Sequence, residues 1–165
     1  MKWVMMALFL VILQFYAHQN VLNMELQEQD YQRISDAVKV AAQDASMDVT
    51  QNSASSGEPV FDPSLAIQTF DTSLAANLNL NPTTLQPNAR TMLAVAPKVL
   101  DAQFYDWSNA TFPYNYVNPT YNLNQTMNNP SVVFVVQCTI PSYAAGTAPF
   151  TVTIPVVQSY QFSGE

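Results

Sequence analysis

Charge is what this sequence has least of. Charged residues make up 10% of its 165 residues, against about a quarter in an average soluble protein. Lys and Arg number 5 against 12 Asp and Glu, so the formal net charge is -7. Nucleic-acid phosphates need a basic surface, and we therefore expect no nucleic acid among the partners.

The residues that carry most enzyme chemistry are also scarce. There is 1 Cys, 1 His and 3 Gly, and no glycine-rich loop for phosphate or CxxCH haem motif is present. Cys138 has no partner for an internal disulfide and no metal-ligand neighbours, so we predict a small buried hydrophobe, with an intermolecular bridge as the alternative. His18 closes an apolar segment, which favours an interfacial role over a catalytic one.

The aspartates lack the spacing of a calcium-binding loop. Four of them are interpreted as helix-capping or solvated groups: Asp62, Asp71, Asp101 and Asp106. The sequence therefore predicts a protein that is not an enzyme, with no cofactor and no metal site.

Apolar residues are plentiful, at 48% with 12% aromatic, which is enough to build a core. The order of the patterns predicts an α+β fold, in which a long N-terminal α-helix precedes a small antiparallel β-rich globular domain. We expect three parts: a helix over 1–48, a linker over 49–61 and the β-rich domain over 62–165.

The N-terminal segment begins with Lys2 and an unbroken apolar run from Trp3 to Leu13. A secretory signal peptide cleaved near Ala17 fits the charged start and the run length. A transmembrane anchor needs about 20 apolar residues, which this segment reaches only by including several polar residues. The side chains predicted to lie in a membrane or a filament core are Trp3, Val4, Leu8, Phe9, Leu10, Val11, Ile12, Leu13, Phe15 and Tyr16.

The helical pattern continues beyond this run, because no Gly or Pro occurs before Gly57. A helix from Met1 to about Met47 would be about 70 Å long, too long for a small domain to cover. A stripe at helical spacing is predicted to pack against the domain, and consists of Met24, Tyr31, Ile34, Val38, Ala41 and Ala45.

In this architecture the chain resembles the bacterial type IV pilin-like proteins, including the tight-adherence and TadE-like pilin group. The resemblance lies in the apolar segment from Trp3, its amphipathic continuation through Asp44 and the β-rich remainder. It implies export and polymerisation through the N-terminal helix. Such pilins usually carry Glu at the fifth mature position, where this chain has Met5, so no residue takes over the subunit-registration role.

The body of the chain begins with a predicted loop over Thr50–Pro59. Asp62 before Pro63 predicts a helix start, and the helix should reach about Asn77, with an apolar side formed by Leu65, Ile67, Phe70, Leu74 and Leu78. Strands are predicted over Thr91–Ala96, Val99–Trp107, Ser131–Ile140 and Pro149–Phe162. The last two should form a hairpin, with Pro155 at an edge or bulge.

The tract Ser108–Pro130, rich in Asn, Tyr, Pro and Thr, is predicted to be a long surface loop. Asn109 and Asn124 match the N-glycosylation pattern there. The aromatic residues of this region are assigned to core or interface packing rather than to a carbohydrate-binding strip: Tyr105, Trp107, Phe112, Tyr114, Tyr116 and Tyr121. No charged residue lies between Asp106 and Glu165, which fits either solvation by polar uncharged groups or packing against neighbouring subunits.

Taken together, the patterns favour a structural subunit of an extracellular filament that mediates cell adhesion. Its partners would be copies of itself, a plasma or inner membrane before assembly, and the assembly machinery. Two alternatives stay open: a single-pass membrane-anchored accessory protein of a secretion or pilus machine, and a secreted binding module released by signal cleavage.

Overall fold

One helix, α1 (Lys2–Ala45), runs through 44 residues at the start of the chain. The computed structural model describes residues 2–144 and 146–161, so the predicted start at Met1 lies outside it. The predicted end near Met47 is late by two residues, because Ser46 and Met47 form a turn in which the Ser46 hydroxyl donates to the Gln43 carbonyl over 2.7 Å.

Two further helices follow, α2 (Gln51–Ser56) and α3 (Pro63–Leu78). The prediction of a loop over Thr50–Pro59 was wrong for α2. This short helix buries no side chain and instead uses local bonds, since the Ser53 hydroxyl accepts from the Val60 amide at 2.8 Å. The prediction for α3 is confirmed, because the Asp62 carboxylate accepts from the Ser64 and Leu65 amides at 3.1 Å and caps the helix.

The apolar side of α3 differs in part from the predicted one. Phe70, Leu74 and Leu78 are buried, whereas Leu65 and Ile67 are exposed. Ala66 and Ala75 are buried on this side of the helix together with the first three residues.

A three-stranded antiparallel sheet has the order β1–β4–β5 and consists of β1 (Lys98–Tyr105), β4 (Ser131–Ile140) and β5 (Phe150–Ser159). The predicted β4–β5 hairpin and the strands over Val99–Trp107 and Ser131–Ile140 are confirmed, with small shifts in their ends. β5 is an edge strand, as Pro155 requires, but it continues through Pro155, which faces Val135, without a register break. β5 ends at Ser159, earlier than the predicted end at Phe162, which itself lies outside the described residues.

A second hairpin joins β2 (Tyr114–Asn118) to β3 (Leu123–Met127) through a 3-10 turn at Pro119–Tyr121. The prediction of a continuous loop over Ser108–Pro130 was therefore wrong. The Asn118 side chain accepts from the Thr120 amide at 3.1 Å, and Asn122 adopts a left-handed conformation with φ of 52°. These asparagines close the turn, which is a reason for the Asn-rich composition.

The strand predicted over Thr91–Ala96 is irregular chain. One backbone hydrogen bond joins this segment to β4, from the Ala94 amide to the Thr139 carbonyl at 2.8 Å. Leu93 is the buried residue of this segment, so it packs on the core without forming a strand.

The core lies between the sheet and the two long helices. Val132, Phe134, Val136, Cys138 and Ile140 of β4 face the second half of α1 and α3, whereas Val133 faces Tyr116 and Met127 of the β2–β3 hairpin. Covering both faces explains why β4 is almost wholly apolar. The fold is thus α+β, with a long N-terminal helix followed by a small antiparallel β domain.

Candidate interaction surface

The first half of α1 is outside the domain. Its large apolar side chains are between 38% and 81% exposed from Trp3 to Leu22, with Trp3 the most exposed. All ten side chains predicted for a membrane or filament core lie in this stretch, and each is at least 52% exposed. No Asp, Glu, Lys or Arg occurs between Lys2 and Glu25, so the surface is apolar as well as uncovered.

The length of this stretch matches a bilayer. Trp3 to Leu22 extends about 30 Å at 1.5 Å per residue, and the hydrocarbon core of a membrane is about 30 Å thick. The helix satisfies the length and hydropathy criteria of a membrane span, with none of the apolar window buried. A signal sequence near an N-terminus satisfies the same criteria.

The second half of α1 is embedded in the domain. Of the stripe predicted to pack there, Ile34, Val38, Ala41 and Ala45 are fully buried. Tyr31 is half-buried against the same core.

Met24 is an exception in this stripe, because it is 69% exposed. Where the domain reaches furthest along the helix, it contacts the side that bears Asn23. Met24 is the next residue, so its side chain points about 100° away from that of Asn23. The packed stripe therefore begins at Tyr31.

The contact beside Asn23 is a polar clasp, formed by Asn23, Gln27 and Asp30 of α1 with the start of the β4–β5 loop. The Asn23 side-chain oxygen accepts from the backbone amides of Tyr143 at 2.7 Å and Ala144 at 3.2 Å. Gln27 donates to the Pro141 carbonyl over 3.2 Å. The Tyr143 hydroxyl donates to the Asp30 carboxylate. These bonds tie the helix to the domain at the point where it leaves the core.

Sequence reasoning missed this clasp, in which Asp30 is only 8% exposed. The three polar residues recur at spacings of four and three, which puts them on one side of a helix. That spacing was the available signal. Their partners lie more than a hundred residues away, as the separation of 114 for Gln27 and Pro141 illustrates.

The Tyr143 hydroxyl of the clasp ionises less readily than an ordinary tyrosine. Partial burial raises the pKa of Tyr143 to about 12, and its hydrogen bond to Asp30 and the charge of that carboxylate act in the same direction. Arg33 opposes the shift. The hydroxyl is therefore a donor to Asp30 under ordinary conditions.

The buried aspartate Asp106 serves the turn after β1. Its carboxylate accepts from the Phe61 amide at 3.0 Å and from the Ser108 amide at 2.8 Å. Asp101 accepts from Gln103 over 2.8 Å, and burial raises the pKa of Asp71. Within residues 2–144 and 146–161, no three His, Cys, Asp or Glu side chains come together as a metal site would need.

Cys138 is buried, as predicted. Burial raises the pKa of its thiol to about 12. The nucleophilic thiolate is therefore not populated near neutral pH, and the side chain acts as a small core hydrophobe.

The aromatic residues from the end of β1 onward pack largely on one another. Tyr105 stacks with Tyr114 at a centroid distance of 5.0 Å, and Trp107 meets Phe112 edge-on at 5.1 Å. Tyr116 is buried beneath them. Most of this group therefore holds the second hairpin on the sheet.

The two predicted glycosylation positions differ in their surroundings. The amide nitrogen of Asn109 donates to the Phe104 carbonyl over 2.9 Å, and its oxygen accepts from the Asp106 amide at 2.9 Å. Its amide is thus part of the turn. Asn124 is exposed on β3, so its side chain is the more accessible of the two.

Comparison of the chain with protein-family models, with curated proteins and with solved structures finds no match. The features that bear on function are therefore those of α1 and its domain. They are an exposed apolar half-helix about as long as a bilayer is thick and a clasp that fixes the domain at its end.

Proposed function

We propose that this protein is a structural subunit of an extracellular pilus-like filament, anchored in the membrane before assembly. The observation that supports it is the continuity of α1, whose first half is exposed and apolar while its second half is embedded in the domain. A rigid apolar rod of this kind needs apolar partners on all sides. Lipid supplies them before assembly, and neighbouring copies of the helix supply them afterwards.

The character of the domain surface supports the same role. No charged residue lies between Asp106 and Glu165, and the exposed positions of the second hairpin are occupied by residues such as Asn115, Val117 and Asn124. Interfaces between proteins are depleted in charge because charged groups are costly to desolvate. The uncharged half of the domain is thus suited to contacts between subunits in a filament sheath at the cell surface.

The role we assign is structural rather than catalytic. Polymerisation of α1 requires no titratable group, cofactor or metal. It requires only that the lipid around the apolar half-helix be replaced by other apolar helices.

A charge in the middle of the apolar half tests the proposal. Leu10→Glu is expected to abolish filaments, because a carboxylate would have to be buried among apolar helices. Val40→Glu is the matched control, since Val40 is exposed on the embedded half of the same helix. The assay is electron microscopy of sheared surface material, with the amount of each variant in the membrane fraction measured in parallel.

The Leu10→Glu variant should still reach the membrane. A centrally placed acidic residue disfavours insertion by about 3 kcal/mol, which a segment this apolar can tolerate. Normal filaments from the Leu10→Glu variant would refute the proposal. Loss of filaments at an unchanged membrane level, with Val40→Glu normal, is the expected result.

The second candidate is a single-pass membrane-anchored accessory protein of a secretion or pilus machine. The match between the exposed stretch and the bilayer thickness favours it equally well. In that case the wild-type protein can be extracted from the membrane only with detergent, and it is absent from the sheared surface material. A released binding module is distinguished by the intact mass of the exported protein, because cleavage near Ala17 would remove most of the exposed half-helix.

A further inference from the structure

Two polar side chains, Gln14 and His18, interrupt the apolar half of α1. They lie four residues apart, so they are neighbours on the helix surface. Both are exposed, and neither has a hydrogen-bond partner within the part of the chain that the structure describes. In lipid or in a bundle of helices, such groups need partners from another molecule.

The direction in which these side chains point follows from the phase of the helix. Gln14 lies nine residues before Asn23, which is about two and a half turns, so it points to the opposite side. His18 lies sixteen residues before the buried Ile34, which is about four and a half turns. Because α1 has no break, the face that bears Gln14 and His18 is opposite the face that the domain covers.

The other polar residues of the segment behave differently. Gln19 and Asn20 line a shallow recess together with Tyr16, and the opposite wall of this recess is Ala144 of the clasp loop. The Asn20 side chain donates to the Tyr16 carbonyl over 2.9 Å. These two residues therefore lie at the edge of the domain, which leaves Gln14 and His18 as the isolated pair.

We propose that the face formed by Ala7, Val11, Gln14 and His18 is the contact face between copies of this chain, with hydrogen bonds from Gln14 and His18 across it. The inference rests on the proposed function, because it specifies how the copies associate. A second copy offers matching groups, since a carboxamide both donates and accepts. Ala7, about two turns before Gln14, allows helices to approach closely. The domains lie on the far side and do not obstruct this approach.

Disulfide cross-linking between single cysteines tests which face is in contact. The full chain in a Cys138→Ala background carries either Ala7→Cys, on the proposed face, or Met5→Cys. Met5 lies eighteen residues before Asn23, about five turns, and so is on the domain side. Both variants are reconstituted in phosphatidylcholine vesicles at the same protein-to-lipid ratio and oxidised. We expect the dimer to form several-fold faster through position 7.

The polar pair is tested in the Ala7→Cys protein. Adding Gln14→Leu should weaken self-association by about three- to tenfold, the range for hydrogen bonds between membrane helices. Gln19→Leu is the matched control, because it makes the same change on the domain side and should leave the cross-linking rate unchanged. Equal cross-linking at positions 5 and 7, no cross-linking at either, or indifference to Gln14→Leu would overturn the inference.

Electron microscopy of sheared material separates this inference from the proposed function. Filaments from the wild type together with equal or preferred cross-linking through Met5→Cys would leave the filament role standing and refute the contact face. Cross-linking through Ala7→Cys without any wild-type filaments would refute the filament role and leave the contact face as a membrane-embedded interface.

Discussion

The stacked pair Phe70 and Phe134 joins α3 to the central strand, and we expect Phe70→Ala to be strongly destabilising. The two rings are parallel within 11° at a centroid distance of 4.0 Å, and both are fully buried. Phe104 meets Phe134 edge-on at 5.9 Å, so the cavity would open within an aromatic cluster. Removing a buried phenylalanine ring costs about 3–5 kcal/mol, which is a large part of the 5–15 kcal/mol typical of a whole domain.

The assay is urea unfolding of the full chain in a mild detergent, followed by tryptophan fluorescence. The chain has 2 Trp, and a Trp3→Phe background leaves Trp107, in edge-on contact with Phe112, to report on the domain. With a urea dependence of about 2 kcal/mol per molar, a loss of about 4 kcal/mol lowers the midpoint by about 2 M.

Leu65→Ala is the matched control on the same helix, because Leu65 is 45% exposed. It should change the free energy of unfolding by about 0.5 kcal/mol. A loss of less than about 1 kcal/mol for Phe70→Ala, or one no larger than that of the control, would refute the assignment of this pair to the centre of the core.

Two further predictions concern the clasp and the buried thiol. Asn23→Ala should speed hydrogen exchange of the Tyr143 amide about fivefold or more, since the lost bond contributes about 1 kcal/mol. Asn20→Ala should leave this rate unchanged, and an unchanged rate in Asn23→Ala would contradict the clasp. Cys138 should resist a disulfide reagent at pH 8 and react on unfolding, because burial raises its pKa from 9.0 to about 12. The contribution of this neutral thiol to the free energy of unfolding is fully present below about pH 9 and is lost as the pH rises towards 12. Labelling of the folded protein as fast as the unfolded chain would show that the thiol is accessible.

The elements that could be predicted from the sequence are those with a strong local signal. Asp62 followed by Pro63 fixes the start of α3, because both residues act within the first turn. The run Ser131–Ile140 identifies β4, since a strand covered on both faces is apolar throughout. The length of α1 follows from the absence of Gly and Pro before Gly57.

The elements that could not be predicted depend on distant contacts or on side-chain bonds without apolar burial. In the β2–β3 hairpin, alternate residues such as Tyr116 and Met127 are buried only because Val133 lies beneath them, and nothing in the local pattern reveals that neighbour. The helix α2 buries no residue at all. Met24 fits the spacing of the packed stripe, yet the domain does not extend to its side of the helix.

The polar clasp matters because apolar contacts alone would not define where α1 leaves the domain. An apolar helix gains as much from lipid or from a neighbouring helix as from its own domain, so such a contact could slide or rotate. The hydrogen bonds that Asn23 accepts from the Tyr143 and Ala144 amides, and the one that Gln27 donates to the Pro141 carbonyl, have fixed directions and would be costly to leave unmade. Together with the fully buried Ile34, Val38 and Ala41, they fix both the length of helix outside the domain and its rotation. Since the helix is unbroken from Asn23 back to Gln14, the same contacts determine which face of the apolar half points away from the domain.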